Sequence, residues 1–169
     1  DTHTYLFAED IIRQPAKPAG FPTSWNGHPA DYEMDPEVVN DPVYKGRVAG
    51  ALKSIPSLSL VLNRDDFFKT GQGIYPKGEG VEKATSVELI YPKTQESKQA
   101  DGSVQIVGGS STGRWKVDKL SMRLKFTSRF GDTSFQHPIF GKDAMSQFDT
   151  LVVDARLNQV WSYGGGSGP

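Results

Sequence analysis

The spacing of apolar residues changes near Pro56, from an irregular or roughly helical spacing before it to a period of two after it. Beyond that proline, Leu58, Leu60 and Leu62 alternate with Ser57, Ser59 and Val61. Val87, Leu89 and Tyr91 alternate with Ser86, Glu88 and Ile90, and Val104 and Ile106 stand just before a double glycine. Leu120, Met122, Leu124 and Phe126 alternate with Lys119, Ser121, Arg123 and Lys125, and Leu151 and Val153 alternate with Thr150 and Val152. Successive side chains of a strand point to opposite faces, so each run reads as a strand with one buried face. Together they predict an antiparallel sheet of about five strands. The polar stretch 94–102 reads as a hairpin loop closed by Asp101-Gly102.

Seven of the 11 prolines lie within the first 56 residues, so that third reads as an extended arm with turns. Residues 14–33, with Pro15, Pro18, Pro22 and Pro29, are expected to be irregular, and Phe21, Trp25 and Tyr32 to pin the arm onto the body by burying aromatic area. Asp35-Pro36 and Asp41-Pro42 each place a capping acid before a proline at the first helical position. From Pro42, Val43, Val48, Ala51 and Leu52 approximate one helical face that ends near Ser54. Asn63 to Phe68 reads as a single capped helical turn. The fold class that follows is α+β and β-dominated, with an arm over 1–54, a β-rich lobe over 55–163 and a flexible glycine-rich tail over 164–169.

Composition narrows the possible chemistry. The chain has 169 residues, enough for one domain, and its formal net charge of −1 gives no electrostatic footprint for nucleic acid. It has no cysteine, which excludes disulfides, a thiol nucleophile and cysteine-ligated zinc. No apolar run approaches the roughly 20 residues of a membrane-spanning helix, and no signal peptide is visible. The first residues, Asp1 to Phe7, lack Met and have the look of a strand already begun, so the chain reads as a piece of a longer protein.

The candidate chemistry centres on 108–126. Backbone N–H groups in the turn Gly108-Gly109-Ser110-Ser111 can form a concave nest for an anion, and glycines let a phosphate approach the backbone closely. The same residues also suit a plain hairpin or bulge, and the pattern is neither a P-loop nor a dinucleotide fingerprint. Lys119, Arg123 and Lys125 share one strand face, and Arg114, Lys116 and Arg129 add to it. Such a face suits a phosphate or an acidic partner, or simply water. Asp65, Asp66, Asp143, Asp149 and Asp154 have no recognisable metal-ligand spacing, and His3, His28 and His137 are widely separated. Trp115 could stack on a base or a sugar, and Trp25, Trp115 or Trp161 could serve a carbohydrate.

In order along the chain, several pieces resemble the spore-coat protein H (CotH) kinase-like family, as found in large exported bacterial proteins. The run 31–39 (DYEMDPEVV) looks like the linker such proteins carry upstream. Ile55 to Leu62 and then Gly73-Ile74-Tyr75 are similar to their first strand and its loop. Val104 to Ser111 followed by Lys119 to Phe126 is similar to their glycine turn and the strand after it. Pro138 to Gly141, Phe148 to Val152 and Asn158 to Trp161 are similar to the next strand and its exit. The chain differs from the family pattern at Val107, at Met122 and at Asp154-Ala155-Arg156.

The resemblance implies the N-terminal β-rich lobe of an atypical protein kinase fold, at the cell surface or outside the cell. It implies no catalytic residue and no metal ligand in this chain, and hence no competence alone. Gly108, Gly109, Ser110 and Ser111 would line the phosphate side, with Lys119 or Lys125 as charge partner. ATP with a divalent metal would bind only in the full-length parent, against a C-terminal lobe of the same polypeptide. The other reading is a non-catalytic structural or interaction module that binds neighbouring protein chains.

Overall fold

The computed structural model describes residues 2–25, 27–112 and 119–155. Expectations placed on Arg114, Trp115, Lys116, Arg156, Asn158 to Trp161 and the 164–169 tail lie outside the described residues. Along the chain come helix α1 (Ala8–Ile12), a small hairpin β1 (Ser24–Trp25) and β2 (His28–Pro29), and short helices α2 (Pro36–Val39) and α3 (Val48–Leu52). Strand β3 (Ser57–Val61), helices α4 (Arg64–Phe68) and α5 (Ile74–Lys77), and the long strands β4 (Glu82–Tyr91) and β5 (Glu96–Ile106) follow. A 3-10 turn (Gly109–Thr112), β6 (Met122–Lys125), the hairpin pair β7 (Phe135–Gln136) and β8 (Gln147–Phe148), and β9 (Thr150–Val153) complete it.

The architecture is β-dominated α+β, built on a five-stranded antiparallel sheet in the order β3-β4-β5-β6-β9. Its register explains the period of two. Leu60 lies opposite Val87, which lies opposite Ala100; Val104 lies opposite Leu124, which lies opposite Leu151. These rows share one face, and Val87, Val104, Ile106, Leu124 and Phe126 are almost wholly buried there. Lys119, Arg123 and Lys125 take the opposite, exposed side, as the alternation requires.

Aromatic rings from the arm and the helices complete the core. Trp25 stacks on Phe68 at 5.8 Å between ring centres and meets Tyr32 at 5.1 Å and Tyr75 at 4.8 Å edge-on. Phe21 packs edge-on against Tyr32 at 5.5 Å. Tyr32 also bridges polar groups: its hydroxyl accepts from the Trp25 indole N–H at 3.1 Å and donates to the Pro22 carbonyl at 2.9 Å. The arm is pinned by these rings.

Capping acts as the sequence indicates at two sites. The Asp35 side chain accepts from the Glu37 N–H and the Asn63 side chain from the Asp65 N–H. The Asp41 carboxylate likewise accepts from Val43 and Tyr44, yet 42–47 form turns and the helix runs only from Val48 to Leu52. Gly46 weakens helix in that stretch.

Two other expectations are corrected. The β4–β5 turn is Pro92 to Gln95, with Gln95 at φ 59°, and Glu96 to Gly102 belongs to β5 rather than to a loop. Asp101-Gly102 lies mid-strand, paired with Ser86 and Thr85, and the glycine is there because a Cβ would come within 2.8 Å of the Lys125 carbonyl and crowd the Phe126 ring. Residues 2–7 form no strand. They cross the polar side of the sheet, where the Thr4 N–H donates to Glu88 Oε2 at 2.7 Å.

Candidate anion site at the glycine turn

Strand β5 leaves the sheet after Ile106, and the Val107 N–H still donates to the Ser121 carbonyl at 3.1 Å. The chain then turns through Gly108 at φ 133° and Gly109 at φ 53°, backbone conformations that favour glycine. Both amides point at one atom: Gly108 N–H donates to Glu79 Oε1 at 2.9 Å, and Gly109 N–H to the same oxygen at 2.7 Å. The Thr112 hydroxyl closes the turn by donating to the Gly109 carbonyl at 2.8 Å. Ser110 and Ser111 lie in the 3-10 turn that follows.

Glu79 comes from the link between α5 and β4, where its backbone forms a parallel bridge with Ile106. It sits between Gly78 at φ 74° and Gly80 at φ 87°. Nothing in the periodicity marks it; the one available signal is a lone acid between two glycines ahead of a strand.

The basic residues divide. Lys119 lies beyond Ser121 at the end of β6 that holds the turn, because Val107 pairs with Ser121. Its ammonium is 3.7 Å from Asp31 Oδ2, and the side chain stays exposed. The neighbouring Leu120 N–H donates to the Tyr75 hydroxyl at 3.2 Å, which fixes this end of the strand on the core. Lys125 pairs with Ser103 and Thr150 at the opposite end of β6, roughly 13 Å along the strand from Ser121. Gly108, Gly109 and Lys119 are therefore brought to one end, and Lys125 is not. Between the lysines, Ser121 is buried; its hydroxyl donates to Asp154 Oδ1 and accepts from the Ala155 N–H, both at 2.9 Å.

Among the remaining candidates, Asp66 and His137 are held in structural contacts. Asp66 pairs with Lys83 at 2.8 Å and accepts from Gln72, and hydrogen bonds from these two side chains hold its carboxyl below the ordinary range. His137 Nε2 lies 3.0 Å from the Tyr91 hydroxyl. Among the described residues no group of three or more His, Asp or Glu side chains is placed to hold a metal ion. Trp25 is only 4% exposed and offers no open ring face to a sugar.

No family model matches this chain, no curated protein matches it, and no solved structure matches it.

Proposed function

We propose that this chain is the β-rich N-terminal lobe of a CotH-like atypical kinase-fold protein, not catalytically competent alone. In this reading the glycine turn gives backbone contacts to a nucleotide phosphate and Lys119 supplies the countercharge. The observation that carries it is the convergence of the Gly108 and Gly109 amides on a single carboxylate oxygen. A phosphate oxygen is likewise an anionic acceptor, so two converging amides that hold a carboxylate oxygen suit a phosphate oxygen too. The placement of Lys119 at the same end of β6 adds a cation, whereas Lys125 acts too far along the strand to share that phosphate. ATP and a divalent metal would be completed by a second lobe of the same polypeptide, which supplies the metal-binding carboxylates.

Calorimetric titration with magnesium-ATP tests this, with Lys119→Ala as control. The reading expects weak binding that Lys119→Ala weakens further, and no ATP hydrolysis or autophosphorylation by the chain alone. Equal heats from both proteins would remove Lys119 from the site, and turnover would overturn the assignment as half of a kinase.

Two observations favour the other reading, a non-catalytic module of a cell-surface or extracellular assembly. The anion-binding amides already carry the chain's own carboxylate, and Phe140 and Met145 stand 70% exposed on the β7–β8 loop. Absence of any nucleotide heat, with retained binding to a neighbouring chain of the same assembly, would select it.

A further inference from the structure

The occupied state of the glycine turn deepens the phosphate-contact proposal and rests on it. We infer that Glu79 is a displaceable internal cap: its carboxylate takes the place of a phosphate oxygen and restricts the access of outside anions to the turn until that side chain swings out to solvent. Both amides donate to one Glu79 oxygen, at 2.9 and 2.7 Å, so an incoming anion needs the same two donors and meets like charge.

The Glu79 side chain can leave the turn while its backbone stays bridged to Ile106. A Cβ on Gly78 or Gly80 would meet nothing within 4 Å, so these glycines serve the positive φ on either side of Glu79 and not close packing. Glu79 is itself exposed, so its carboxylate passes from the amides to water with little desolvation to overcome. Lys119 repeats the arrangement: Asp31, from the arm, lies 3.7 Å from its ammonium. Among the described residues, the two glycine amides and Lys119 thus each carry an acid of the same chain. A tethered group competes at an effective concentration in the millimolar range, so only an anion that binds the open turn well displaces it.

Inorganic pyrophosphate, added to the isotope-labelled full chain while the Gly108 and Gly109 amide resonances are followed, tests the cap. In the unaltered protein these two resonances should move only slightly at millimolar pyrophosphate, in keeping with weak binding. In Glu79→Ala they should move on addition, with an affinity at least about tenfold higher once the tethered competitor is gone. Should Glu79→Ala fold poorly, Glu79→Gln, neutral and a weaker acceptor, should shift in the same direction by less. Equal movement in the unaltered protein and in the variant would overturn the cap while leaving the phosphate contact standing. No movement in either would overturn both.

Discussion

Asp101 and Asp132 are bonded to each other twice: the Asp132 N–H donates to the Asp101 carbonyl at 3.0 Å, and the Asp101 N–H donates to Asp132 Oδ2 at 2.8 Å. This pair continues the ladder where β6 runs out, since β5 pairs with β6 only from Ser103 to Ile106. Asp132→Ala removes a charged acceptor from a half-open strand edge and should cost about 0.5–1.5 kcal/mol in urea unfolding. Asp132→Asn, which keeps an acceptor, should recover part of the loss; a variant as weak as alanine would place the contribution in the carboxylate's charge rather than in its acceptor.

Two glycines should respond in opposite directions to alanine. A methyl group added at Gly102 would lie within 2.9 Å of both the Lys125 carbonyl and the Phe126 ring, and the carbonyl belongs to backbone that cannot yield cheaply. Gly102→Ala should therefore destabilise by about 1–3 kcal/mol. Gly50, inside α3, has open space at that position, and Gly50→Ala should stabilise by about 0.5–1 kcal/mol. Unfolding midpoints of the two variants on opposite sides of the parent would confirm the contrast.

The arm should be held chiefly by its rings. Trp25→Ala should cost about 3–5 kcal/mol, the range for emptying a large aromatic site. Tyr32→Phe keeps the ring contacts and removes only the hydroxyl between Trp25 and Pro22, so about 1 kcal/mol is expected. Thermal unfolding followed by circular dichroism distinguishes them, and a Tyr32→Phe loss equal to that of Trp25→Ala would contradict the ranking.

Acid should loosen the crossing of residues 2–7. Burial of Glu88 pushes its carboxyl up, but hydrogen bonds from Ser97 and from the Thr4 N–H and hydroxyl, with the charge of His3, outweigh it and leave the group below its ordinary 4.5. A carboxyl lowered on folding adds stability that is fully present above 4.5 and is lost as pH falls through the folded value. Glu88→Gln should be less stable than the parent near neutrality, with the gap closing as pH drops below that range. A gap of constant size in urea titrations at each pH would rule out a titrating contribution.

Much of the sheet was legible because alternation survives wherever one face is buried. Val87, Leu89, Leu124 and Phe126 sit inside as their spacing requires, and Lys119, Arg123 and Lys125 sit outside. The first half of β5 was hidden because Lys98, Gln99 and Asp101 are polar and Asp101-Gly102 has the composition of a turn. Pairing with Thr85 on β4 holds that glycine in a strand, and the proximity of Phe126, distant in sequence, is what requires a glycine there. At the candidate site the glycines announced a special backbone, but not their occupant. Glu79 reaches them through space from another loop, and no local pattern encodes that meeting.

The sheet order also makes the closure costs of its strands unequal. β4 and β5 join through a tight turn, whereas β9 reaches β6 only after the whole 126–149 excursion, so the hairpin closes at small entropic cost and β9 at a larger one. Amides of Thr150 to Val153 should then exchange with solvent through smaller openings than those of β4. During such openings β6 becomes a raw edge, with Met122 and Leu124 uncovered beside it, and the molecule's own lysine and arginine on that strand are what deter a second chain from pairing there.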